Sequence, residues 1–422
     1  MKKNTRYVSE RADIPEKMHC LPKWFTELHT DYDLSAWCFY GYLGTGCQIH
    51  GVSLMLQYKN EEYWAAFGLY IPGAHGKWSF AGTKNKTKLK VDNPTDSEKW
   101  AACGTVEIPG PGRIRIALLE GEFGQPDALY QLTADVCSAV DLFAAAGTDV
   151  TPDLFLDIQL RDKLGAVPVG YGPASFLPNW LTDNQLNIID NFYGSSTSEY
   201  LQNSQPEMEN QGSYYYSSPR LEPEDYTIVK WSEGEPHVQH GKCGCLWMDH
   251  VVQNFGELNH LSKEATVSWY WFAIPKLPGC HSLAVTSLWY EHAPDMLPFK
   301  SASLYTPCAN HPEKVYTCLW DMDRIQITRD KEQKIYELTL EGNDECPSIA
   351  LTLTAIEGNQ TLGPAIEGLF KVTGTIDEQN VPDDCYAWGE ISLPSTQTST
   401  SLLSDIGKLI HEIKHPLFFS RK

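Results

Sequence analysis

The sequence predicts an all-β protein with two antiparallel β-barrel or sandwich domains in tandem. Three observations carry that reading. Short apolar or alternating runs recur along most of the chain, punctuated by Gly, Asn and Pro. No helix-length periodic segments alternate with them, which argues against a parallel α/β sheet. The runs also fall into two series, separated by a polar stretch at 193–213 (YGSSTSEYLQNSQPEMENQGS).

The first series comprises 36–43 (AWCFYGYL), 52–58 (VSLMLQY), 64–71 (WAAFGLYI), 113–119 (RIRIALL) and 154–160 (LFLDIQL). The polar stretch that follows reads as a loop or lid, or as an insertion with no role. The second series comprises 266–274 (TVSWYWFAI), 282–290 (SLAVTSLWY), 315–321 (VYTCLWD) and 335–340 (IYELTL). It closes with 350–355, 368–374 and 386–393. Near the C-terminus, Leu402, Leu403, Ile406, Leu409, Ile410 and Ile413 share one helical face, with Thr400 or Ser401 as N-cap and Pro416 as terminator. This predicts an amphipathic helix that docks on the protein or, alternatively, rests weakly on a membrane surface. The expected division is an extension over 1–30, a first domain over 31–235, a second over 236–398, and the helix and tail over 399–422.

Charge narrows the function. Asp and Glu number 54 against 33 Lys and Arg, a net charge of −21. Such a field repels polyphosphates, so nucleic acid is not an expected partner. No apolar window reaches the ~18 residues of a membrane span, and the polar opening MKKNTRYVSERADIPEK lacks a secretory core. A cytoplasmic protein is the expectation. Its 12 cysteines are scattered, and Cys243-Gly-Cys245 has no second pair at zinc spacing. The thiols therefore read as structural and no metal is expected. There is no P-loop, no G-x-G-x-x-G opening a helix, no G-x-S-x-G and no H-E-x-x-H. No cofactor is expected either, which leaves the chemistry to side chains in a pocket.

Three clusters are candidates. Residues 213–221 (SYYYSSPRL) place Tyr214 and Tyr216 on one face of a strand; strand tyrosines whose hydroxyls merely reach solvent would look the same. In 245–250 (CLWMDH), Trp247 and Asp249 share one face, Met248 and His250 the other. A carboxyl beside an indole in an apolar cavity has its charged form disfavoured and becomes a usable general acid. An Asp accepting backbone N–H bonds at a sheet corner is the competing reading. In 386–392 (YAWGEIS), Trp388 and Glu390 alternate onto one face.

These clusters, with 36–43 and 51–57 (GVSLMLQ) ahead of them, keep an order that resembles the AttH-like, carotenoid 1,2-hydratase superfamily. Residues 36–43 resemble its W-x-Y-x-G-x-L opening, 213–221 its S-Y-Y-Y-S-x-P-R-L stretch, 241–256 (GKCGCLWMDHVVQNFG) its G-x-A-W-x-D-H-x-W-G motif, and 386–392 its G-Y-A-W-G-E-L strand. The motif's tryptophan after the histidine is replaced here, the chain reading His250-Val-Val-Gln-Asn-Phe255-Gly256. The resemblance implies two lipocalin-like barrels in one chain and a deep apolar pocket for a long unsaturated molecule. It carries over Asp249 and His250 as acid and partner and Trp247 as pocket wall. Tyr214 and Tyr216 are expected as donors, and Trp37, Tyr40, Trp269, Trp271, Trp388 and Glu390 as substrate-binding residues. The activity it implies first is that of a cyclase, like the lipocalin-like Diels–Alderases, folding a lipophilic polyene for ring closure. The alternatives are a hydratase or isomerase that protonates an isoprenoid through Asp249, and a carrier that returns its hydrophobic ligand unchanged.

Overall fold

The computed structural model describes residues 5–9, 34–59, 62–71, 77–85, 90–91, 104–105, 112–121, 124–136, 154–168, 213–232, 235–253, 267–290, 299–308, 315–332, 334–356, 360–362 and 365–392. Among these the chain is strand after strand. The early ones are β1 (Thr5–Ser9), β2 (Leu34–Leu43), β3 (His50–Lys59), β4 (Glu62–Ile71), β5 (Lys77–Asn85), β6 (Lys90–Val91) and β7 (Gly104–Thr105). Next come β8 (Gly112–Glu120), β9 (Leu129–Val136), β10 (Leu154–Asp162), β11 (Val167–Pro168), β12 (Ser213–Ser232), β13 (Glu235–Gly241) and β14 (Gly244–Gln253). They are followed by β15 (Val267–Leu277), β16 (His281–Tyr290), β17 (Phe299–Pro307), β18 (Val315–Leu319), β19 (Ile325–Arg329) and β20 (Ile335–Leu340). The last are β21 (Ile349–Ala355), β22 (Gln360–Leu362), β23 (Ala365–Ile376), β24 (Gln379–Asn380) and β25 (Tyr386–Ser392).

Apart from β6 and β7, which pair with each other, they form two large, curled antiparallel sheets in tandem. The first runs β5-β4-β3-β2-β14-β12-β10-β9-β8, with β11 and β13 on β12. The second runs β1-β18-β17-β16-β15-β25-β23-β21-β20-β19, with β22 and β24 on β23.

This topology corrects the expected domain limits. Strand β14 lies in the middle of the first sheet, between β2 and β12, so a division at 235/236 would cut that sheet and the boundary falls beyond Gln253. Strand β1, expected in an N-terminal extension, is the edge of the second sheet, registered Thr5 to Leu319. Local strand propensity is silent about which distant strand completes a sheet, and both errors arise there. The C-terminal helix and residues 193–212 of the expected lid lie outside the described residues.

Each sheet buries one face in its own core, as period-2 patterning requires. In the second sheet that face carries Tyr270, Phe272, Ile274, Leu338, Leu351, Phe370 and Val372. In the first, Leu154, Leu156, Ile158 and Leu160 alternate with half-buried neighbours along β10. The opposite faces of the two sheets meet each other. Tyr40 stands edge-on to Trp271, with ring centroids 5.2 Å apart, and stacks on Trp388 at 5.7 Å. Trp247 meets Trp271 at 6.0 Å and Tyr305 at 6.3 Å, and Tyr42 meets Tyr386 at 5.0 Å. This aromatic layer is where the two sheets join.

Candidate functional site

The centre of the layer is built on β14. Its neighbour β2 approaches closely because position 41 is glycine: with φ at +150°, a Cβ there would lie 2.3 Å from the Cys245 carbonyl oxygen. Register then fixes the neighbours of the expected acid. Trp247 is opposite Tyr40 and Asp249 is opposite Cys38 on β2, while Ser217 of β12 is opposite Asp249 on the other side.

Asp249 is 5% exposed. The indole Nε1–H of Trp247 donates to its Oδ1 at 2.6 Å, and the Ser217 hydroxyl donates to the same oxygen. Burial pushes the carboxyl well above the ordinary aspartate range, and the negative charge of Glu390 pushes it further. Two donors fix the orientation of the group without supplying the positive charge that would keep it ionised. Among the aromatic rings the protonated form of the carboxyl is thereby favoured.

The second sheet contributes the opposing wall. Trp271 of β15, Glu390 of β25 and Glu367 of β23 are consecutive partners across three strands, so all three face the same way. Glu390 and Glu367 are 5% and 3% exposed. The indole N–H of Trp271 finds no hydrogen-bond acceptor among the described residues. Trp388 and Trp269 lie on the same face, registered opposite Ala273 and Ser392. Trp247, Tyr40, Trp271, Trp388, Trp269, Asp249 and Glu390 are thereby brought together.

Other expected residues are not. His250 is fully buried, but it follows Asp249 in an extended strand and faces the opposite side, where its ring lies 5.2 Å from that of Trp37. Its ring therefore lies on the face away from the Trp247 and Ser217 contacts of Asp249, and Trp37 belongs to the first sheet's interior. Tyr216 is registered opposite His250 and Tyr214 opposite Val252, which separates both positions from Asp249. Two residues of the site were absent from the sequence expectations. Ser217 sits next to the expected Tyr216, one step out of phase. Glu367 gave no local signal, since only the β23–β25 register sets it against Glu390. Among the described residues, no group of three His, Cys, Asp or Glu is placed to hold a metal ion.

The architecture is similar to that of an AttH-type protein from Nitrosomonas europaea, with a TM-score of 0.50 and 15% identity, covering 86% of this chain and 93% of that one. The chain has an AttH-like fold. The AttH-like tandem of sheets was the architecture expected from the four ordered motifs. Kievitone hydratase from Nectria haematococca also aligns, with a TM-score of 0.45 and 12% identity, over 85% of this chain and 88% of that one. No protein-family model matches the sequence, and no curated protein sequence matches it. No helix among the described residues is long and apolar enough to cross a membrane.

Proposed function

We propose that this protein is an enzyme that protonates a carbon–carbon double bond of a lipophilic, isoprenoid-like substrate, as a hydratase or an isomerase. One observation carries the reading: Asp249 is a buried carboxyl held by Trp247 and Ser217 in an aromatic layer, where burial and the charge of Glu390 favour its protonated form. A carboxyl whose protonated form is favoured by burial is what a general acid requires.

The step follows from those residues. The Asp249 O–H bond breaks as the alkene π pair forms a new C–H bond. The positive charge left on carbon is met by the faces of Trp247, Trp271, Trp388 and Tyr40, whose quadrupoles attract cations. Addition of water with loss of its surplus proton gives an alcohol, whereas loss of a neighbouring proton gives an isomeric alkene. Capture of the cation by a second double bond would close a ring, so a cyclase outcome uses the same acid. The polyene cyclase expected first from the resemblance relied chiefly on shape, with Tyr214, Tyr216 or Asp249 as donors, and of these Tyr214 and Tyr216 are out of register with Asp249.

The test is incubation of the full-length protein with a panel of prenylated and isoprenoid alkenes in isotopically labelled water, with products read by mass spectrometry. Gain of one labelled water supports hydration, and solvent hydrogen in a product of otherwise unchanged composition supports isomerisation or cyclisation, separated by chromatography. Ligands that bind and return unlabelled would make the protein a carrier and overturn the proposal.

A further inference from the structure

Glu367 and Glu390 stand directly opposite each other on β23 and β25, both buried, and Glu390 acts electrostatically on Asp249 across the sheet interface. Directly opposed side chains on antiparallel strands have Cβ atoms about 5 Å apart. Two carboxylates so placed, out of water, cannot both remain ionised, and such a pair titrates as a unit that keeps one proton over a wide pH range. The other titratable groups on the two apposed faces, among the described residues, include Cys38, Tyr40 and Tyr42 of β2, Cys245 of β14, Tyr305 of β17 and Tyr386 of β25. Ser217 of β12, Thr286 of β16 and Ser301 of β17 add uncharged polar groups. Lys371, four residues along β23, is engaged over the Tyr386 ring at 4.9 Å.

We infer that Glu367 and Glu390 hold a single proton between them, and that Glu367 is a positioning residue that acts through Glu390 to return the proton Asp249 delivers. The second half of this inference rests on the reading of Asp249 as the acid. The cycle balances. Asp249 gives its proton to carbon and becomes a carboxylate. Water bonds to the cation, and its surplus proton goes to the singly charged pair, which becomes neutral. The pair then passes one proton to Asp249 and recovers its negative charge.

The experiment is carbon-13 NMR of the full-length protein carrying carboxyl-labelled Asp or Glu, titrated with pH. In the wild type two glutamate resonances should titrate as a linked pair, one far above and one far below the ordinary range. In E390Q the charge nearest Asp249 is gone and the Asp249 midpoint should fall. In E367Q the shared charge resides wholly on Glu390, so the midpoint should rise, by about 0.5 pH unit at an effective dielectric near 20. E367D, which keeps a carboxyl, should restore the wild-type midpoint. Two glutamates titrating independently in the wild type would overturn the inference without need of any variant. So would an E367Q midpoint that falls as in E390Q. Linked titration beside a fully active D249N would sink the acid reading and the positioning role but leave the shared proton. Unlinked glutamates beside an inactive D249N would leave the acid reading standing and remove only this inference.

Discussion

Replacing Asp249 by Asn removes the dissociable proton and little else. The Asn side chain keeps an Oδ1 acceptor for the Trp247 indole, 2.6 Å away in the wild type, and for the Ser217 hydroxyl. Its volume is nearly the same, so the aromatic layer has no cavity to close. General acids contribute roughly 10²- to 10⁴-fold to rate, which corresponds to about 3–5 kcal/mol of barrier. D249N should therefore lose that factor in kcat, measured as solvent deuterium entering product, while binding substrate with nearly unchanged affinity. A folded D249N that turns over at the wild-type rate would refute the assignment.

The same variant tests the physical cause of the acidity. Because the native carboxyl binds its proton more tightly than the unfolded one, the native state holds the extra proton between about pH 3.9 and its own raised midpoint. Stability contributed by this group is therefore fully present at low pH and lost as pH rises through that window, by up to about 1.4 kcal/mol per unit. D249N lacks the group, so its stability relative to wild type should climb with pH over the same window in urea melts. Parallel pH profiles for the two proteins would show that burial is not holding the proton.

Ser217→Ala deletes a donor that favours the ionised form of Asp249. It should move the alkaline fall of activity to higher pH and cost about 1 kcal/mol in urea denaturation. Tyr40→Ala empties the space between Trp271 and Trp388; a loss of about 3 kcal/mol or more is expected in the same melts, and a smaller loss would mean the sheets do not depend on this layer. Gly41→Ala would force a Cβ to 2.3 Å from the Cys245 carbonyl oxygen at φ +150°. It should destabilise by about 2–4 kcal/mol through backbone displacement of β2 from β14, and a wild-type midpoint would show that the approach is not required.

The fold was legible where strands declare themselves locally. Residues 335–340 read as a strand at the same limits that β20 has, because from Tyr336 onward IYELTL alternates apolar and polar and its buried positions are Tyr336, Leu338 and Leu340. Pairing was less accessible. Sequence alternation showed that Trp247 and Asp249 share a face, but whether that face looks into a barrel or toward a second sheet depends on Tyr40, Trp271 and Trp388, which are far away in the chain. His250 shows the cost of reading a motif as a unit: the resemblance carried over an acid with its partner, although the alternation of 245–250 already sends the two side chains to opposite faces. Ser217 was hidden for the converse reason. A serine between tyrosines draws no attention until the β12–β14 register sets it against Asp249.

The location of the carboxyls follows from how the two sheets divide their faces. Each sheet spends its most apolar face on its own core, as the Phe272, Tyr336 and Phe370 cluster illustrates. The faces left over must be apolar enough to join the sheets, yet they are not the sole support of either fold. Trp and Tyr suit that layer because they bury large ring areas and still offer an N–H or O–H. One such N–H, from Trp247, is what orients Asp249. An unpaired buried carboxyl in either core would set the stability of its whole sheet against its charge. At the interface Asp249 is desolvated by the second sheet, and Glu390 of that sheet raises its proton affinity further. Acid strength at Asp249 is therefore a property of the pair of sheets, and substitutions at Glu390 that leave the first sheet intact should still reset it.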